Sequence, residues 1–238
     1  MTSNGSVEAN MADPFRRAAR FIQKAGLAFL FGGTKASDLP NLHFEITGRD
    51  TIEEWNDDTD LVWQFRVELP RLGVAWFGEW LKSRGTFIAV RLLPAALGWL
   101  GRSADVDEDV KQAWEISEDA GIIYEAILSE GPIASAALRR AVSLEHADDA
   151  PIFQRSLKAL QRGLFITNFG HLEETGAWAS SVYEPTVRAF PIHEEIPIRE
   201  EALKALVAAY RRASPFPDQA KAARLFGARI DEVRRSWI

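Results

Sequence analysis

The chain has 238 residues, 47% hydrophobic and 26% charged, a balance that excludes wholesale disorder and fits either one large domain or two to three small ones. Cysteine is absent, which removes disulfide frameworks, thiolate nucleophiles, iron–sulfur clusters and cysteine-based zinc sites together. A net charge of −6 argues against a protein that coats nucleic acid over its whole surface.

The charge lies in blocks. Residues 41–70 and 104–125 carry eight acids each, whereas 71–103 and 201–238 each sum to +4, so basic faces can exist on an acidic protein. Residues 1–13 are small and polar, without a basic segment or an apolar run; they read as a disordered tail with no signal peptide, and the expected location is cytoplasmic. Behind Pro14, the spacing of Phe15, Ala18, Ala19, Ile22 and Ala25 predicts a helix.

An irregular stretch is expected from Gly32-Gly33 through the acidic run Glu53 to Asp60. Its Gly32-Gly33-Thr34-Lys35 segment lacks the spacing of a phosphate-binding loop. Leu72, Trp76 and Trp80 suggest an amphipathic helix ending at Gly85. Thr86 to Gly101 is apolar but only 16 residues long. A membrane span needs about 20, so a buried helix bent at Pro94 is predicted instead. The tryptophans of this region (Trp55, Trp63, Trp76, Trp80 and Trp99) read as core.

Asp105, Asp107 and Asp109 resemble a calcium loop, but Val110 and Ile116 stand where glycine and glutamate are required, so these acids are placed at a helix start. The four histidines are far apart, and no metal site is assigned.

The middle of the chain is more informative. Ile122, Ile123, Ala126 and Ile127 give a helix stopped by Gly131-Pro132. Ile133 suggests a short strand, and Ser135 caps a second helix. A third helix carries Phe153, Leu157 and Leu160 inward and ends at Gly163. The segments 164–169 and 178–183, separated by a polar tip with His171, Glu173 and Glu174, read as a β-hairpin. Three helices closed by a hairpin is the order of a winged helix, with 152–162 as its recognition helix. Farther on, Asp218, Gly227 and the apolar spacing on either side read as a helix-turn-helix.

The expected fold is therefore mainly α with short β-hairpins, built from tandem winged-helix and helix-turn-helix units. The boundaries are a tail at 1–13, an N-terminal helical domain at 14–103 open to a winged-helix-like arrangement, a winged-helix domain at 110–192, and a C-terminal helix-turn-helix at 198–238.

Ser156 to Gly170, followed by Trp178, Tyr183, Arg188 and Phe190-Pro191, resembles the middle winged helix of the AlkZ/YcaQ group of DNA glycosylases; the similarity is best over about 117–238 and weaker over 15–100, where the group's short AlkZ-related proteins offer a closer comparison. Ala223 to Gly227 with Glu232-Val-Arg234 resembles the helix-turn-helix that follows it. The resemblance implies tandem winged helices on a concave DNA-binding surface and a role in DNA repair, with excision of bulky alkylated bases. It also implies a glutamine–aliphatic–glutamine or –aspartate motif that positions the attacking water. Here Phe29 and Phe31 stand at those places, and Gln-x-Gln and Gln-x-Asp occur nowhere in the chain. Phenylalanine cannot orient a water or accept a proton.

No catalytic residue and no cofactor is assigned, and Asp60 and Glu68 are the substitute carboxylates considered. Double-stranded DNA is the expected partner. The candidate contacts are Arg139 and Arg140 on the second helix, and Gln154, Arg155, Lys158, Gln161 and Arg162 facing outward on the third. The three cations among the last five follow i, i+3, i+7, so they share one helix face. They suit phosphates, and the glutamines suit base edges. A protein partner, or an alkyl-base glycosylase using other residues, stays open beside this reading.

Overall fold

The structure, a computed structural model, describes residues 13–32, 38–172 and 180–237. Mainly helical, it contains two small antiparallel three-stranded sheets.

The first helix, α1 (Asp13–Ala25), turns Ala18, Ala19 and Ile22 inward as its spacing requires. Strand β1 (Leu27–Phe29) follows, then α2 (Leu42–Thr47) and α3 (Asp57–Arg71). Both helices begin at asparagines: Asn41 Oδ1 accepts from the Phe44 N–H, and Asn56 Oδ1 from the Thr59 N–H. The last part of the acidic run is thus the start of a helix. Asp57, Asp58 and Asp60 lie in the first turn of α3, where the backbone N–H groups and the helix dipole favour negative charge.

Two further expectations for this region are corrected. The segment read as a helix around Trp76 is strand β2 (Ala75–Glu79), and the first part of the supposed buried helix is strand β3 (Gly85–Ala89). Helix returns only at α4 (Leu93–Trp99), with Pro94 in its first turn rather than at a bend. The cause is burial on both faces. Phe77 and Phe87 pack towards α1 and α3, while Trp76 and Ile88 pack on α4 and the C-terminal helices. A strand covered on both sides loses the polar–apolar alternation that would identify it.

After a short polar bridge that begins at Arg102, the chain forms α5 (Val106–Ile116) and α6 (Glu118–Glu130), capped by Asp105 and Ser117. Strand β4 (Ile133–Ala134), α7 (Ser135–Ala141), α8 (Ala150–Arg162), β5 (Ile166–Leu172) and β6 (Ser180–Pro185) follow. The hairpin stands where the sequence places it, displaced by two residues at its start; Glu173, Glu174 and Trp178 lie outside the described residues, as do Gly33 to Lys35 and the first twelve residues. Ser135 does not cap α7: its hydroxyl is 2.9 Å from that of Ser180. The one-turn helix α9 (Thr186–Ala189) leads to α10 (Arg199–Ala213), α11 (Gln219–Phe226) and α12 (Ile230–Ser236). As read from the sequence, Asp218 caps α11 and Gly227 takes the left-handed turn at φ 64°.

One pattern occurs twice. The orders α1–β1–α2–α3–β2–β3 and α6–β4–α7–α8–β5–β6 are the same, and both sheets have the strand order first–third–second. The third helix leads into its strand through equivalent turns: the Val74 N–H donates to the Leu69 carbonyl, and the Phe165 N–H to the Leu160 carbonyl. Gly73 at φ 67° and Leu164 at φ 58° hold the left-handed position in these turns.

The two units interlock. Strand β5 packs on α3, and α8 packs on β2. Both β2 and β5 are outer strands of their sheets and lie beside each other. The Phe77 N–H donates to Thr167 Oγ1 at 3.2 Å, that hydroxyl donates to the Phe77 carbonyl at 3.0 Å, and the Glu79 N–H donates to Gln161 Oε1 at 2.7 Å. Side chains of the second unit thereby satisfy backbone groups on the open edge of the first sheet.

Candidate functional site

Helix α8 carries the sequence-predicted contacts, and the structure divides them. Gln154, Arg155, Lys158 and Arg162 are exposed. Gln161 is not: its side chain is buried, with its carboxamide oxygen holding the Glu79 N–H, which corrects its outward placement. Lys158 is exposed but lies 3.6 Å from the Glu79 carboxylate. On α7, Arg140 is exposed, whereas Arg139 donates from Nε to the Leu144 carbonyl and from Nη2 to the His146 carbonyl, both at 2.8 Å. Arg139 thus holds the loop between α7 and α8. Arg155 and Arg162 are the cations of the α8 stripe that make no ion pair among the described residues.

A second cationic surface escaped the sequence reading. A groove of about 720 Å³ beside α1 is lined by Arg16, Arg17, Arg20, Lys24 and, from the end of α10, Arg212. Arg16 pairs with Asp13 at 3.2 Å and Arg17 with Glu45 at 3.2 Å. The positive balance of 201–238 is legible in the sequence, but only folding brings Arg212 beside the cations of α1.

The residues where the resemblance expects polar groups fare differently. Phe29 is buried under the Arg84 guanidinium, 3.9 Å from its ring. Phe31 lines a cavity of about 410 Å³ at the junction of the two units, and its ring stacks on Trp63 at 6.0 Å and 13°. Trp55 meets Trp63 edge-on, and both indoles are partly open to solvent. Trp76, Trp80 and Trp99 are the buried members of the tryptophan group.

Polar side chains share the cavity wall with these aromatic ones. Arg66, on α3, is 7% exposed, and its guanidinium lies over the Trp63 ring at 4.2 Å. Nη1 donates to Ser181 Oγ at 3.1 Å, but Nε has no partner and no carboxylate pairs with Arg66 among the described residues. Burial lowers its pKa, and that of the cavity-lining Arg84, from the ordinary guanidinium value. A guanidinium stays charged all the same. Asn168, on β5, is 6% exposed and its Oδ1 also has no partner. Burial raises the Tyr183 pKa, so its phenol remains a neutral hydroxyl on the cavity wall.

Glu79 is the carboxylate among the residues that line this cavity, and Lys158 neutralises it in part. Asp60 and Glu68 are not among them: Asp60 accepts from the Trp55 indole, and Glu68 pairs with Arg71 at 2.6 Å. Among the described residues, no group of three or more histidines, aspartates or glutamates could hold a metal, and no helix is long and apolar enough to cross a membrane.

Fold and site together define a mainly helical protein in which two like-built helix–sheet units meet at a cationic cavity. The model of the AlkZ-related family matches residues 13–227, and the chain belongs to that family. No curated protein and no solved structure matches it.

Proposed function

We propose that the protein binds duplex DNA through a tandem pair of winged helices. The observation that carries this reading is the repeated helix–strand–helix–helix–strand–strand order, with the same strand order in both sheets, in a chain of the AlkZ-related family. Exposed Arg140, Arg155 and Arg162 supply phosphate contacts, Lys158 a weaker one, and Gln154 is the glutamine placed to reach a base edge. Base excision of the family type is not part of this function, because Phe29 is buried and Phe31 presents a ring to the cavity.

Salt dependence of duplex binding tests the proposal. Each phosphate contact contributes a slope of about −0.9 to log affinity against log salt, so replacing Arg155, Lys158 and Arg162 by alanine should flatten the slope by about 2 to 3. An absence of binding at low ionic strength would end the DNA reading in favour of a protein partner. An unchanged slope would move the contact to the groove of Arg16, Arg20, Lys24 and Arg212. Release of an alkylated base from duplex would contradict the second half of the proposal, and Glu79→Gln would then show whether that carboxylate activates the water.

A further inference from the structure

The cavity between the units is lined by Arg66 and Asn168, whose buried Nε and Oδ1 have no hydrogen-bond partner among the described residues, and the DNA reading uses neither of them. A charged group removed from water is costly unless it is paired, and a buried carbonyl oxygen without a donor is costly too. Arg66 has its Nη1 on Ser181 and its cationic face on Trp63, while Nε has no partner and Nη2 makes no hydrogen bond among the described residues. The Nε–Nη2 edge is the fork of a guanidinium that makes two parallel N–H···O bonds to a carboxylate or phosphate. Arg84 adds a second positive charge to the lining, and the carboxylate there, Glu79, faces Lys158. Phe31, Trp63 and Phe77 supply flat apolar walls, and the volume of about 410 Å³ is that of a small-molecule site.

We propose that this cavity is a binding site for a small planar oxyanion, an aromatic ring bearing a carboxylate or a phosphate. The Arg66 fork takes the oxyanion, Asn168 bonds a polar substituent beside it, and the ring lies against Trp63 and Phe31. A duplex is too bulky to bring a backbone phosphate to a guanidinium so deeply covered, so a free small molecule is the occupant. The site is independent of DNA binding and stands or falls without it.

The test is calorimetric titration of the full chain, with its thermal melting followed in parallel, using benzoate, phenyl phosphate, inorganic phosphate and benzyl alcohol as probes. Benzoate or phenyl phosphate should bind and raise the melting temperature, the better of the two identifying the oxyanion, while benzyl alcohol should do neither. Arg66→Met should abolish binding, and Arg66→Lys, which keeps the charge but loses the fork, should weaken it by about tenfold or more. Asn168→Asp leaves Arg66 intact and places a competing carboxylate in the cavity; it too should abolish binding, which guards against misfolding of the Arg66 variants. Failure of both aromatic acids to bind at up to about 10 mM would overturn the proposal, as would undiminished binding to Asn168→Asp or to a folded Arg66→Met. Equal affinity for inorganic and phenyl phosphate would overturn the planar part of it.

Discussion

The two helix–sheet units share one topology but hold their interiors together differently. Around α1 and α3 the first unit packs apolar and aromatic side chains, with Phe15 edge-on to Phe65 at 4.7 Å and Phe77 against Phe87 at the same centroid distance. The second is anchored by a buried ion pair. Arg102, in the bridge, donates from Nε to Asp109 Oδ1 at 2.9 Å, reaches the Gly163 carbonyl through Nη1, and lies over the Phe165 ring at 3.5 Å. The Tyr124 hydroxyl meets the other Asp109 oxygen at 3.3 Å. Burial pushes the pKa values of Asp109 and Tyr124 up, and the neighbouring Arg102 guanidinium opposes the rise in both. The second unit thus adds a polar clamp to an apolar core of its own, which includes Ile123, Leu138, Phe153 and Leu160, whereas the first unit's core around α1 and α3 is apolar and aromatic.

Breaking the clamp should have the largest effect. Asp109→Ala leaves Arg102 buried and uncompensated, and urea unfolding should show a loss of about 3–5 kcal/mol. A loss below about 1 kcal/mol would show that water reaches Arg102 and that the two units are less different than described. The equivalent turns give the next contrast. Leu164 accepts a left-handed backbone because its side chain is fully buried, so Leu164→Ala should cost about 2–5 kcal/mol. Gly73→Ala in the first unit adds a methyl to open space and should cost only the backbone strain, about 1–2 kcal/mol. The interlock supplies a further test. Thr167→Val keeps the shape but leaves the Phe77 N–H and carbonyl without their partner, and thermal melting should report about 2 kcal/mol. Smallest of all, Lys158→Ala removes a partly exposed pair with Glu79 and should change stability by less than about 1 kcal/mol. Its larger signature belongs in the salt dependence of DNA binding.

Legibility in the sequence followed the range of the interactions. The β5–β6 hairpin and the α11 cap were readable because Gly163, Asp218 and Gly227 act on neighbours a few residues away. The region from Pro70 to Gly101 looks helical in sequence because Leu72, Trp76 and Trp80 fall by coincidence at helical spacing, although only Trp76 lies in a strand, and because both faces of β2 and β3 are covered. The start of α3 is marked by Asn56 and three aspartates, the same signal that Asp105 gives for α5, but it is hidden inside a longer acidic run that has the composition of a loop. Gln161 looks like an outward polar residue, and only β2, eighty residues earlier, gives it a buried partner. Arg66 and Asn168 were invisible for the same reason: their isolation arises where segments about a hundred residues apart close over them.

The covering of the first sheet on both faces also sets an order of events during synthesis. One face of β1 and β3 rests on Leu203, Leu206 and Tyr210 of α10 and on residues of α11 and α12, and the edge of β2 rests on Gln161 and Thr167. When residues 13–99 have left the ribosome, every partner for that face beyond α4 is still unmade. The nascent first unit therefore shows an unpaired strand edge until Gln161 and Thr167 have emerged, and the face of Trp76 and Ile88 until α10 follows, and this interval is when the chain is most exposed to aggregation.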